Sequence, residues 1–150
     1  MPDSRIVLIH KKIAELVGVN FAAGYSGIDF TGRVIRGIET NPIMVPHACV
    51  RFVDSLEEVG PTMGRYQGKA IFEIYAFVAG ATLSARCDGA LNVCSDMIKA
   101  ITNNRQLSLG SSVDDVICDF MALEGSSFGV EGAGIGYIKI SVKYRSDDGS

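Results

Sequence analysis

The chain has 150 residues, of which 47% are hydrophobic and 21% charged, and a net charge of -3. That length fits a single domain with a core of its own, and the balance excludes a disordered chain. With no run of Lys or Arg it also excludes an electrostatic DNA-binding module, which needs a basic stripe.

No apolar run approaches the ~18 residues of a membrane-spanning helix, so no membrane association is expected. The N-terminus lacks a signal-peptide pattern, because Ile6 to Ile9 gives way at once to His10-Lys11-Lys12. An intracellular start is expected.

Ser4 precedes Ile6, Ile9, Ile13, Leu16 and Val17 at helical spacing, with Lys11, Lys12 and Glu15 opposite. The pattern predicts an amphipathic helix of about four turns ended by Gly18. Gly18 to Pro46 follows, with Gly24, Gly27, Gly32, Gly37, Pro42 and Pro46 and little periodicity. Ile28-Asp29-Phe30 and Arg33-Val34-Ile35-Arg36 have the composition of short strands. A segment longer than ~15 residues without structure of its own is usually functional or disordered. The expectation is a flexible arm at about 18–46, ordered by a partner, with an ordinary irregular hairpin as the alternative. Phe30, Arg33 and Arg36 in the arm, and Glu57 and Glu58 in the next turn, are its candidate partner contacts.

Pro46 opens a strand from His47 to Asp54, with Ala48, Val50 and Phe52 on one face. A turn-rich connection runs from Ser55 to Gly64. Tyr66 to Val78 reads as a longer strand. One face is Ala70, Phe72, Ile74, Ala76 and Val78; the other is Ile71, Glu73, Tyr75 and Phe77. Both are largely apolar, so both need cover. Helices cover one, and a second chain is expected on the other, with Ile71, Tyr75 and Phe77 as interface residues.

Thr82 and Ser84 are candidate N-caps for a helix reaching about Asn103. Its stripe is Cys87, Ala90, Leu91, Cys94, Met97, Ile98 and Ile101, with Arg86, Asn92, Asp96 and Lys99 outside it. Val113 to Leu123 forms a third strand. After a Gly/Ser-rich turn, Gly136 to Tyr144 alternates strictly and predicts a half-buried antiparallel strand. Arg145 to Ser150 is a polar tail, expected to be disordered over about 146–150.

The order helix-arm-strand-strand-helix-strand-strand predicts one α+β domain over 1–150. It is a mostly antiparallel sheet of about four strands with two helices packed on it.

Candidate chemistry is sparse. Cys49, Cys87, Cys94 and Cys118 form no Cys-x-x-Cys pair, and neither histidine lies near them at ligand spacing. They read as reduced, buried small hydrophobes, with no metal site. Gly132-x-Gly134-x-Gly136 runs into a strand, whereas a dinucleotide loop opens a helix. Glu57/Glu58, Asp114/Asp115 and Asp147/Asp148 are adjacent pairs at expected turns or in the tail; neighbours on a strand point to opposite faces and do not share a cleft. His47 and Cys49 would share a face, but no third group orients them as a nucleophile pair. No catalytic residue, cofactor or metal is expected, and no enzyme activity.

Several stretches together resemble the tail terminator (tail completion) proteins of long-tailed bacteriophages. They are the early amphipathic helix with its Gly-rich sequel, and Val45-Pro46-His47-Ala48-Cys49-Val50-Arg51-Phe52, where a proline opens a strand. Ala70-Ile71-Phe72-Glu73-Ile74-Tyr75-Ala76-Phe77-Val78 then leads to the central helix, and Ile138-Lys139-Ile140-Ser141-Val142-Lys143-Tyr144-Arg145 precedes an acidic tail. The resemblance covers most of the chain and is weakest over 18–44.

It implies a structural virion protein that forms a homo-oligomeric ring, typically a hexamer. The ring caps the tail tube, contacts the tube protein and a neck or head-completion protein, and lets DNA pass without specific binding. It also implies assembly in the host cytoplasm, with no cofactor. Another neck or minor tail protein is the nearest alternative. A small ligand-binding or hot-dog-type enzyme domain and a stand-alone ferredoxin-like binding module are the others.

Overall fold

A computed structural model describes residues 3–37, 45–59, 66–104, 107, 109, 113–124 and 133–146. Helix α1 spans Arg5–Val17; the Ser4 hydroxyl accepts from the Val7 N–H at 3.3 Å, and the Gly18 N–H closes the last turn on Ala14. Strand β1 is Val34–Arg36, β2 His47–Val59 and β3 Tyr66–Ala79. Helix α2, Leu83–Thr102, starts at Thr82, whose hydroxyl accepts from Ala85 at 3.1 Å. Strands β4, Val113–Glu124, and β5, Ala133–Ser146, complete an α+β fold.

The sheet has five strands in the order β1-β2-β3-β5-β4. All neighbours are antiparallel except β1, which runs parallel to β2. Sequence composition marks Arg33 to Arg36 as a short strand, which β1 bears out, but three residues show no periodicity that would count it in the sheet. Patterning also ends β2 too early. The ladder continues through Glu57↔Gly68 and Glu58↔Gln67 to Val59↔Tyr66, so Glu57 and Glu58 lie in a strand rather than a turn; their side chains are outside the described residues. Asp114 and Asp115 likewise belong to β4, beside a register shift between Val113 and Asp115.

β3 organises the core. Ala70, Phe72, Ile74, Ala76 and Val78 are buried on the helix side, together with Ile9, Ile13 and Val17 of α1 and Ala90, Val93, Met97 and Ile101 of α2. Leu91 and Ile98 flank the α2 stripe half-buried, but Cys87 is exposed. It sits near the helix start, in a run of mostly exposed residues. Two glycines let α2 lie close to β5. A Cβ on Gly136 would come within 2.5 Å of the Cys94 sulfur, and one on Gly134 would collide with the Arg86 carbonyl. The glycine run therefore serves helix–strand packing.

Residues 18–37 differ from the expected arm. Asn20 bridges to Asp29, and the Phe30 N–H donates to the Val19 carbonyl at 3.0 Å. The Phe30 side chain is fully buried, edge-on to Phe21 at 6.2 Å. Phe30 is thus a core residue of its own chain, not a surface for a partner. The segment is held by Asp96 of α2, expected outside the stripe but only 4% exposed. Its two carboxylate oxygens accept from the Tyr25 and Ser26 N–H groups, both at 2.8 Å. Gly24 allows the approach, since a Cβ there would lie 2.5 Å from the Asp96 Oδ1. Residues 38–44 of the expected arm lie outside the described residues, as do 147–150 of the expected tail, whereas Ser146 still belongs to β5.

Truncating a charged acceptor that satisfies buried donors costs about 1–3 kcal/mol. Asp96→Ala is expected to lower stability by that order and to speed amide exchange at Tyr25 and Ser26. An unchanged unfolding midpoint with both amides still protected would show that the clamp is not what holds the segment.

Candidate functional site

The face of the sheet away from the helices carries the densest polar cluster among the described side chains. Alternation along each strand decides which residues reach it. Register then lines them up in rows. One row is Arg51↔Glu73↔Lys139↔Asp119, alternating in charge across four strands. The next is Ile35↔Cys49↔Tyr75↔Tyr137↔Met121, across all five.

Glu73 joins the two rows. Its carboxylate accepts from the Tyr75 hydroxyl at 3.3 Å and from the Tyr137 hydroxyl, and lies 3.4 Å from an Arg51 guanidinium nitrogen. Its side chain is only 16% exposed. Such a carboxylate is tolerable because its lone pairs are occupied. The two phenol rings sit 5.3 Å apart. Burial first, and then the charge and hydrogen bond of Glu73, push both phenols above their ordinary range. They are therefore fixed as neutral donors. A carboxylate engaged in this way is a latch between β2, β3 and β5.

The rest of this face is part core, part solvated surface. Cys49, Tyr75, Phe77 and Ile135 form a second apolar cluster, with Ile35, Val45 and Tyr137 packed against it. Tyr75 is 8% and Phe77 3% exposed. The expected interface residues are thus already covered within one chain, and only Ile71 remains half-buried. The two-faced apolar strand was correctly recognised, but residues of the chain itself supply this cover. Arg33 is half-buried, with its Nη1 3.5 Å from the Pro46 carbonyl, and Arg36 is exposed on β1.

Burial pushes the Cys94 thiol up to about 12, so it stays protonated and inert. His10 stacks against Phe72 at 5.3 Å, and its Nε2–H donates to the Val50 carbonyl at 2.7 Å. Burial lowers its affinity for a proton, the Val50 bond partly opposes this, and Arg36 adds to the lowering. Among the described residues no three His, Cys, Asp or Glu side chains converge as for a metal ion, and no helix is long and apolar enough to cross a membrane. A groove of about 410 Å³ lies where the Phe21–Tyr25 loop meets Asp96 and Lys99 of α2, but its carboxylate is taken up by the loop backbone.

No protein-family model matches the chain, and a search of characterised proteins returns no significant relative. The residues that matter on this face are Arg51, Glu73 and Tyr137. Sequence reasoning passed over their connection, although Glu73 is the lone acid inside an apolar strand.

The raised phenols fix a sign. Their folded-state proton affinity exceeds that of the unfolded chain, so their contribution to stability is complete below pH ~10 and is lost as pH rises above it. In an ultraviolet titration, Tyr75 and Tyr137 should ionise late. Glu73→Gln should move Tyr75 and Tyr137 back toward, but not to, the ordinary value, because burial remains. Identical curves for both proteins would remove Glu73 from the account.

His10 works the other way. The unfolded chain takes the proton near pH ~6.5 and the folded one only below that. Its contribution is complete above pH ~6.5 and declines as pH falls toward the folded-state value. Replacing His10 with Gln should flatten that part of the stability profile, and matching profiles would contradict the assignment.

Proposed function

We propose that the chain is a structural subunit of a long-tailed bacteriophage, a tail terminator that assembles into a ring. The ring, a hexamer by resemblance, caps the finished tail tube and joins it to a neck or head-completion protein. The reading rests on the sequence resemblance and on one structural observation. Both faces of β3 are covered within the subunit, yet the sheet ends in β4, a strand of 12 residues that pairs only with β5 among the described strands. A long open edge is a hazard for a monomer, because its unpaired N–H and C=O groups recruit other strands. For a subunit built to assemble it is a joint.

DNA has only to pass. Lys139 and Lys143 of β5 each have an acid beside them in register: Lys139 stands between Glu73 and Asp119, and Lys143 opposite Asp115, with Lys69 on its other side. With a net charge of -3, such a surface offers few uncompensated phosphate contacts.

Light scattering on the purified protein, with electron micrographs of the same sample, tests the reading. Closed rings with a central pore are expected; a monomer or dimer at every concentration would contradict it. The assembled protein should not shift duplex DNA near ~150 mM salt, where screening acts within about 8 Å. Tight binding there would overturn the passive pore.

A further inference from the structure

Tyr25 is the most exposed large apolar side chain among the described residues, at 69%. Single exposed apolar residues are ordinary, but this one stands on a backbone tied down around it. Its own N–H and that of Ser26 are held by the buried Asp96 carboxylate. The Gly24 N–H donates to the Phe21 carbonyl and the Phe21 N–H to the Ile28 carbonyl, both at 2.8 Å. The Ile28 N–H donates to the Ser26 hydroxyl at 3.3 Å. The chain thus buries a charge to fix a loop that turns an aromatic ring outward. A tyrosine on a fixed backbone loses little freedom on binding, which suits an anchor in a protein contact.

Beside the ring lies the groove of about 410 Å³ between this loop and the second half of α2. Phe21, Tyr25 and Ala100 give it apolar walls. Lys99, which also lines it, is exposed and joins none of the ion pairs among the described residues. A helix C-terminus ordinarily adds negative carbonyls at such a place. Here they are occupied. The Thr102 hydroxyl donates to the Ile98 carbonyl at 2.8 Å, and the Asn104 side-chain amide to the Ala100 carbonyl at 3.0 Å. The Asn103 and Asn104 N–H groups donate to the Lys99 and Ile101 carbonyls, both at 3.0 Å. The groove therefore combines apolar walls with a cation free to pair.

We propose that this groove binds an extended acidic peptide segment of another protein. An apolar side chain of the segment packs against Phe21, Tyr25 and Ala100, and a neighbouring carboxylate pairs with the Lys99 ammonium. The Asn103 amide, also in the lining, serves the peptide backbone as donor and acceptor. Charge selects the occupant. A basic segment would meet Lys99 with like sign, and a nucleic acid needs several phosphate contacts where the groove has one cation. None of these residues belongs to the sheet, so the contact is independent of the ring reading.

A library of random peptides selected on the full chain, and again on Lys99→Glu, tests the proposal. Tyr25 and Lys99 are both exposed, so their substitution leaves the fold intact, which circular dichroism melts confirm. The native protein should return sequences that share an Asp or Glu close to a large apolar residue. Lys99→Glu should return Lys or Arg in place of the acid. Peptides from the native selection should bind Tyr25→Ala and Lys99→Glu roughly tenfold or more weakly, and Tyr25→Phe as they bind the native chain. Selected sequences without a shared acid, or peptides that bind Tyr25→Ala and Lys99→Glu as tightly as the native chain, would overturn the proposal. Duplex DNA that displaces the selected peptides would overturn it in favour of a nucleic-acid contact.

Discussion

Strand β3 has to be covered on both faces, and the rest of the molecule follows from that constraint. Phe72, Ile74 and Val78 point to one side, and Tyr75 and Phe77 to the other. Leaving either side wet would sacrifice about 1.5–3 kcal/mol for each large apolar side chain. Helices α1 and α2 cover the first face. The second is covered by side chains of the chain itself, with Ile35 and Val45 brought in by β1 and the segment before β2. The short parallel strand β1 thus extends the sheet and helps to enclose the second cluster.

Glu73 shows how a carboxylate is accommodated in such a strand. It occurs where Arg51, Tyr75 and Tyr137 converge from three strands, and all three engage it. Asp96 solves the same problem on the helix side with two backbone N–H groups. Both carboxylates are spent on holding the subunit together.

The fold class was legible in the sequence because it depends on periodicity. Ile138, Ile140, Val142 and Tyr144 alternate strictly, Ala90 to Ile101 keep helical spacing, and Ser4 and Gly18 bracket α1. What stayed hidden depends on contacts between distant residues. Asp96 reads as solvent-facing until the Tyr25 and Ser26 amides meet it, 71 and 70 residues away. Phe30 reads as an arm residue until Phe21 and the core close over it. Tyr75 and Phe77 read as needing a partner because sequence cannot show that Ile35 and Val45 fold back onto them. The charge row Arg51, Glu73, Lys139 and Asp119 is invisible without register, since its members come from four strands.

The central claim is that this subunit meets its neighbours through sheet edges, its faces being closed from within. Amide hydrogen exchange on dilute and on assembled protein tests that claim most directly, because edge pairing adds hydrogen bonds to a strand that pairs on one side only among the described strands. The account predicts new protection on assembly in β4, residues 113–124, with β3 already protected in both states. Assembly that leaves the amides of both edges exchanging as in the free subunit would contradict it.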